Sequence, residues 1–78
     1  MVIYKVVGVV DETGYKGTCD LNHKGNFASE GMLFGEKYGL FFPYDDKKKT
    51  LWDYPWRLNI SHLEKIGEIS GIPWEIKK

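Results

Sequence analysis

A chain of 78 residues has room for a single domain, which we expect to span residues 1–78. A domain of this size buries only about 60–65% of the surface that its unfolded chain exposes, so its core must be dense. Eleven basic and 11 acidic side chains give a formal net charge of zero, which argues against a broad polyanion-binding surface. Cys19 is the only cysteine, which excludes an internal disulfide and favours a reducing, cytoplasmic location. The sequence shows neither an apolar run of about 18 residues nor a signal-peptide pattern, so we expect no membrane association.

The first two predicted strands lie before residue 23. Residues Val2–Val10 are β-branched or aromatic at nearly every position, which is typical of a strand buried on both faces. Turn-forming residues follow at 11–14, and residues 15–22 then alternate with period two, which indicates a half-buried strand. We expect the apolar side of this strand to face the core and the polar side to face solvent. The apolar side comprises Tyr15, Gly17, Cys19 and Leu21, and the polar side comprises Lys16, Thr18, Asp20 and Asn22.

Further strands and one helical turn are predicted in the rest of the chain. Gly31 indicates a bulge within the third strand. Ser61 and Glu64 have the spacing of a capping box, and a single helical turn over residues 61–66 would point Ile60, Leu63 and Ile66 toward the core. The remaining predicted strands are residues 27–34, 40–44, 50–58 and the closing segment 68–78.

This succession of short elements predicts an all-β fold. Five or six strands separated by glycine-bearing turns indicate a small antiparallel meander or an SH3-like barrel, with one short helical turn near residues 61–66. The single turn before a last strand fits the layout of SH3-like barrels. The peptide-binding signature of SH3 domains, an acidic-aromatic opening and paired tryptophans, is absent from the sequence.

The sequence offers no recognisable catalytic or metal-binding set. His23, His62 and Cys19 lie far apart and lack metal-ligand spacing, so we expect no metal and no cofactor. Ser61 and His62 are adjacent, which sends their side chains in different directions and prevents a nucleophile–base pair. Cys19 is expected to be a small buried hydrophobe. We therefore predict that the protein is not an enzyme.

A lysine run supplies the main alternative, a single-stranded nucleic-acid binder. Lys47, Lys48 and Lys49 could neutralise phosphates while Trp52 and Trp56 stack on bases. Acidic residues directly before the run and between the tryptophans weigh against this hypothesis, as does the zero net charge. A lysine run in a turn is more often a solvated loop that opposes aggregation.

The segment Leu51–Leu58 carries an alternating aromatic stripe. Trp52 and Tyr54, at its beginning, are predicted to lie mainly in the core of so small a protein. Pro55 lacks the N–H group that a central strand requires, so this strand is predicted to lie at the edge of a sheet.

An aromatic edge strand predicts a protein-binding surface. Trp56 and Arg57 are expected to point outward, because tryptophan and arginine are enriched among residues that dominate interface energies. The full predicted partner-binding set is Tyr44, Trp52, Tyr54, Trp56 and Arg57, with Tyr38 and Trp74 as extensions of the same surface. The edge itself could also pair with a second copy of the chain, which makes a homodimer an alternative.

The leading functional hypothesis is therefore a non-enzymatic module that binds a protein partner of unknown identity, as small inhibitors, adaptors and regulatory proteins do. Short chains of this kind are common among accessory proteins of phages and other mobile elements. The second alternative, after nucleic-acid binding, is a small-ligand or nucleotide binder with a pocket at a barrel mouth.

Overall fold

The computed structural model of the chain describes residues 1–10, 12–23 and 25–70, together with the backbone of residues 74 and 75. The all-β class with one short helical turn is confirmed. The described strands do not close into a barrel, so the open arrangement is the one found. They are β1 (Val2–Val6), β2 (Val9–Val10), β3 (Lys16–Cys19), β4 (Phe27–Ser29), β5 (Leu33–Lys37), β6 (Leu40–Asp45), β7 (Thr50–Trp52), β8 (Leu63–Glu68) and β9 (Trp74–Glu75).

In the described part of the chain, the larger sheet has six strands in the order β8-β1-β5-β6-β7-β9. All neighbours are antiparallel except β7 and β9, which are parallel. The turn between β5 and β6 is tight because Tyr38 and Gly39 both have positive φ, 56° and 76°, the conformation that two-residue hairpins require. The sequence left residues 35–39 between two predicted strands, but β5 extends to Lys37, so the turn is shorter than that gap.

The smaller sheet has the strand order β2-β3-β4 and is antiparallel throughout. It begins where the predicted strand Val2–Val10 is interrupted at Gly8, whose φ is 60°. The chain leaves the larger sheet at this glycine, so the prediction of one strand buried on both faces is wrong, and Val9 and Val10 are exposed. Gly31, predicted as a bulge, lies instead in the turn between β4 and β5, with φ of 92°.

Apolar side chains cover both faces of the larger sheet. One cluster lies between the two sheets, where Ala28 of β4 meets the larger side chains Val6, Phe34, Phe41, Trp56, Leu58 and Leu63. A second cluster lies on the opposite face and contains Ile3, Phe42, Tyr44 and Leu51. Backbone hydrogen bonds tie β1 to the turn between β4 and β5, since the Val6 N–H donates to the Met32 carbonyl at 2.9 Å and the Gly31 N–H donates to the Val6 carbonyl at 2.8 Å.

The helical turn is a single 3₁₀ turn over Ile60–His62. Its cap is Asn59, whose side chain accepts a hydrogen bond from the Ser61 N–H, so the predicted capping box from Ser61 is wrong. Leu63 is buried as expected, whereas Ile60 and Ile66 are exposed, because the chain leaves the turn directly into β8. Within the described residues, no helix has the length and apolar character that crossing a membrane demands.

Candidate protein-binding surface

Trp56, predicted to point outward, lies in the core between the two sheets. Its backbone forms an isolated antiparallel bridge with Phe41, in which the Phe41 N–H donates to the Trp56 carbonyl and the Trp56 N–H donates to the Phe41 carbonyl, at 2.9 and 2.7 Å. Residues paired in this way direct their side chains to the same face, and Phe41 faces the core. The Trp56 ring therefore packs against Phe34, with ring centroids 5.3 Å apart.

The exposures of Tyr54 and Trp56 are the reverse of those expected. Trp56 is 8% exposed, whereas Tyr54, predicted as core, is 42% exposed. The reason is that β7 ends at Trp52, and the chain from Asp53 to Pro55 does not continue the strand. The period-two alternation therefore does not extend to Trp56.

The other predicted contact residues differ in their positions. Tyr44 is buried in the second cluster, and its hydroxyl has no hydrogen-bond partner among the described residues. Burial does not favour its role in partner binding, which stays a prediction. Trp52 is half-buried, and Arg57 is exposed. Tyr38 is almost fully exposed at its tight turn, and the Trp74 side chain lies outside the described residues.

The described residues place a different apolar surface on the smaller sheet. In the ladder, Val9 pairs with Gly17, Gly17 with Ser29, and Cys19 with Phe27, so these residues share one side of the sheet. Tyr15 joins them, because its hydroxyl shares a 2.9 Å hydrogen bond with the Ser29 hydroxyl. We call this side the outer face; its exposed members are Val9, Tyr15, Cys19 and Phe27.

The outer face includes the side of the predicted strand 15–22 that was expected to be buried. Thr18, on the opposite side, pairs with Ala28 and is buried, whereas Cys19 is exposed. The prediction for Thr18, Asp20 and Cys19 is therefore wrong, although the alternation itself is present. Small side chains such as Thr18 and Ala28 suit the inner side, because the space between the sheets is already filled by large apolar residues of the larger sheet.

Aromatic contacts give the outer face a defined shape. The rings of Tyr15 and Phe27 are tilted against each other with centroids 5.4 Å apart. The Phe27 ring lies over Gly17, since a Cβ atom at that glycine would be 2.6 Å from the Phe27 Cζ atom. The ring can approach the backbone of β3 this closely only because residue 17 has no side chain.

Hydrogen bonds connect described residues of the β3–β4 loop to two exposed residues of the predicted contact set. The buried Asp20 carboxylate accepts hydrogen bonds from the N–H groups of Asn22 and Arg57, at 2.9 and 3.2 Å. The Asn26 side-chain amide donates to the Tyr54 hydroxyl at 3.2 Å. Tyr54 and Arg57 are thereby held beside the loop that joins β3 to β4, next to the apolar outer face.

One buried hydroxyl–imidazole contact was missed by sequence reasoning. The Thr18 Oγ1 and His62 Nδ1 atoms share a hydrogen bond of 2.8 Å. Such a pair resembles a nucleophile and its base, but Thr18 is only 2% exposed and a substrate cannot reach its hydroxyl. This contact is structural, since it ties β3 of the smaller sheet to the 3₁₀ turn. The sequence gives little signal for it, because the two residues are 44 positions apart.

The lysine run forms the tip of the β6–β7 hairpin. The N–H groups of Lys47 and Lys48 donate to the Asp45 carboxylate at 2.9 and 3.1 Å, which fixes the turn. The ammonium of Lys49 donates to Asp46 at 2.9 Å. This hydrogen bond and the adjacent negative charge raise the pKa of the Lys49 ammonium above its ordinary value.

These contacts do not favour the nucleic-acid hypothesis, which stays a prediction. Lys49 is already paired with a carboxylate, so one cation of the run is partly neutralised. The aromatic platform expected beside the lysines is reduced, because Trp56 is buried and Trp52 is half-buried. Among the described residues, no group of three or more histidine, cysteine or acidic side chains is arranged to hold a metal ion.

Comparison with known proteins gave no match to a family model, to a curated protein or to a solved structure. The functional interpretation therefore depends on the geometry of this chain alone.

Proposed function

We propose that this chain is a non-enzymatic protein-binding module that contacts its partner through the outer face. The observation that carries the proposal is the exposure of Val9, Tyr15, Cys19 and Phe27 on one side of the smaller sheet. Leaving apolar side chains in water forgoes the stabilisation that burial would give, and contiguous apolar patches rimmed by polar residues mark interaction sites. A module of this kind acts by occupying a surface of its partner, as inhibitors, adaptors and regulatory proteins do.

The chemistry of the outer face indicates the chemistry of the partner surface. At the ladder positions of this face the described strands carry valine, glycine, serine, cysteine and phenylalanine, and no charged residue. The charged side chains of Lys16 and Glu30 instead pair with each other at 2.7 Å. An uncharged, largely apolar partner surface matches this face, because a charge placed against it would lose water without gaining a partner.

Two residues of the original contact set surround this surface. Tyr54 and Arg57 are exposed beside the β3–β4 loop, and both residue types are enriched among residues that dominate interface energies. Arginine at the margin of an apolar patch can form hydrogen bonds that orient the partner. A cytoplasmic location, predicted from the single cysteine, suits the exposed thiol of Cys19 because a reducing compartment keeps it free.

The test compares two tyrosines that are both exposed and receive the same substitution. Tagged Tyr15→Glu protein should lose a partner that the parent protein captures from lysate, because the new carboxylate lies on the apolar outer face. Tyr38→Glu is the matched control, since Tyr38 lies at the exposed β5–β6 turn away from that face. The purified partner should then bind the Tyr38→Glu variant with unchanged affinity and the Tyr15→Glu variant at least about tenfold more weakly.

The single cysteine supplies a second measurement that needs no mutation. Cys19 lies on the outer face, so a bound partner should slow its reaction with N-ethylmaleimide, and prior alkylation should weaken binding. Equal binding by both tyrosine variants, together with unchanged thiol reactivity in the complex, would place the contact elsewhere and refute the proposal. Circular dichroism of both variants checks that each is folded.

A further inference from the structure

The edges of the two sheets differ in how they are protected against pairing with another chain. β8, at one edge of the larger sheet, carries Glu64, Lys65 and Glu68, and Ile66 is an extra residue in its register with β1. Charged side chains and bulges of this kind oppose the addition of a further strand. The edge at β8 is therefore protected.

The edge at β2 lacks these protections. Its residues are Val9 and Val10, and Val10 is 64% exposed. An exposed edge strand presents backbone N–H and C=O groups that can pair with another strand, and β-branched side chains favour such pairing. β4, the other edge of the smaller sheet, differs because its central residue Ala28 is fully buried.

We propose that β2 pairs with β2 of a second copy of this chain, giving a twofold-symmetric dimer. Two antiparallel copies of a Val-Val strand are self-complementary, as an interface that uses the same patch on both subunits requires. The formal net charge of zero removes the long-range repulsion that would oppose the approach of two identical chains. The two three-stranded sheets then form one continuous sheet of six strands.

The dimer explains how a small outer face can serve as a binding surface, and in this respect the inference rests on the proposed function. Tyr15 and Phe27 can each bury roughly 150–250 Å², and they are 54% and 37% exposed, so the two rings of one copy offer on the order of 200 Å² to a partner. A standard interface needs about 800 Å² from each partner. Pairing at β2 joins two outer faces side by side and doubles the apolar area that one partner can cover.

The closing experiment measures the mass of the protein by sedimentation over a wide concentration range. The parent chain should form a dimer, and Val10→Glu should weaken dimerisation by at least about tenfold, because two carboxylates would approach each other at the new junction. Within one copy the substitution is compatible with the fold, since Val10 lies opposite Lys16. Ile66→Glu is the matched control, because it adds the same charge to an exposed residue of the protected β8 edge and should leave the dimer intact.

Amide hydrogen exchange of the parent protein provides the second measurement. The amides of β2 should become more protected as the concentration rises into the dimer range. A parent chain that stays monomeric at every concentration, or a dimer that withstands Val10→Glu, would overturn the β2 pairing. Either result leaves the proposed function intact, because that proposal fails only if Tyr15→Glu and the alkylation of Cys19 leave partner binding unchanged.

Discussion

Trp56 connects the segment after β7 to the core between the sheets. Its ring packs edge-on against Phe34 and lies near Tyr54, with centroid separations of 5.3 and 6.3 Å. The indole N–H has no hydrogen-bond partner among the described residues, so the residue contributes mainly through the apolar area that it buries. A large ring in this position fills a volume that smaller side chains would leave empty.

Replacing this ring should destabilise the protein severely. Trp56→Ala is expected to lower the free energy of unfolding by about 3–5 kcal/mol, because it removes buried apolar area and leaves a cavity. Urea denaturation followed by far-UV circular dichroism measures the change. Tyr54→Ala, in the adjacent exposed aromatic residue, should cost less than about 1 kcal/mol, and similar losses for the two variants would contradict the burial that the structure assigns to Trp56.

The sequence predicted that this segment is an edge strand, but β7 lies between β6 and β9, and the expected exposures of Tyr54 and Trp56 are reversed. A single strand through residues 52–56 would direct the side chains of Trp52, Tyr54 and Trp56 to the same face of the sheet. Because β7 ends at Trp52 and the chain pairs again only at Trp56, the phase of the alternation is lost between them. The bridge to Phe41 is a contact between distant positions, and no local pattern reports it.

At the scale of elements, Gly8 permits the chain to pass from one sheet to the other. Its φ of 60° is favourable for glycine and strained for other residues. The backbone of Gly17 approaches it so closely that a Cβ atom on Gly8 would meet the Gly17 carbonyl. The first strand divides here because both the conformation and the close approach require a residue without a side chain.

Gly8→Ala should therefore destabilise the fold by at least about 1–3 kcal/mol, through backbone strain and the clash with Gly17. Gly67→Ala is the control, because nothing lies within 4 Å of the added Cβ atom and the backbone there is not in the left-handed region. It should change the free energy of unfolding by less than about 1 kcal/mol. Thermal unfolding of both variants, compared with the parent, measures the difference; equal midpoints would show that the sheets meet differently at residue 8.

Element types were easier to predict than the faces they bury. The alternation over residues 15–22 correctly indicates a strand, and β3 lies within it. A period of two, however, shows that a strand has two different faces and does not show which one meets the core. On the opposite side of β3, the buried Thr18 hydrogen-bonds to the half-buried His62, a contact that depends on the tertiary fold. The sequence therefore did not predict the outer face, on which the proposed function depends.

At the scale of the whole molecule, the two sheets are joined by an apolar cluster and by a few polar contacts. The hydrogen bond between Thr18 and His62 is one of these, and the carbonyl of His62 also accepts from the N–H groups of Val7 and Gly8 at 3.0 and 2.9 Å. The 3₁₀ turn thus holds the point at which the chain changes sheets. Loss of a single polar contact here should affect both sheets together.

Thr18→Val tests this coupling, because valine has nearly the shape of threonine but lacks the hydroxyl. The variant should lose about 1–3 kcal/mol of stability, since the half-buried imidazole of His62 is left without its partner. Thr18→Ser, which keeps the hydroxyl, should retain more of that stability.

Urea unfolding of these variants should be followed by two signals. Tryptophan fluorescence is sensitive to Trp56 between the sheets, and far-UV circular dichroism reports the strands. Coincident transitions at a lower midpoint are expected for Thr18→Val, because one cooperative unit contains both sheets; a midpoint equal to that of the parent would mean that the hydrogen bond contributes nothing to joining them.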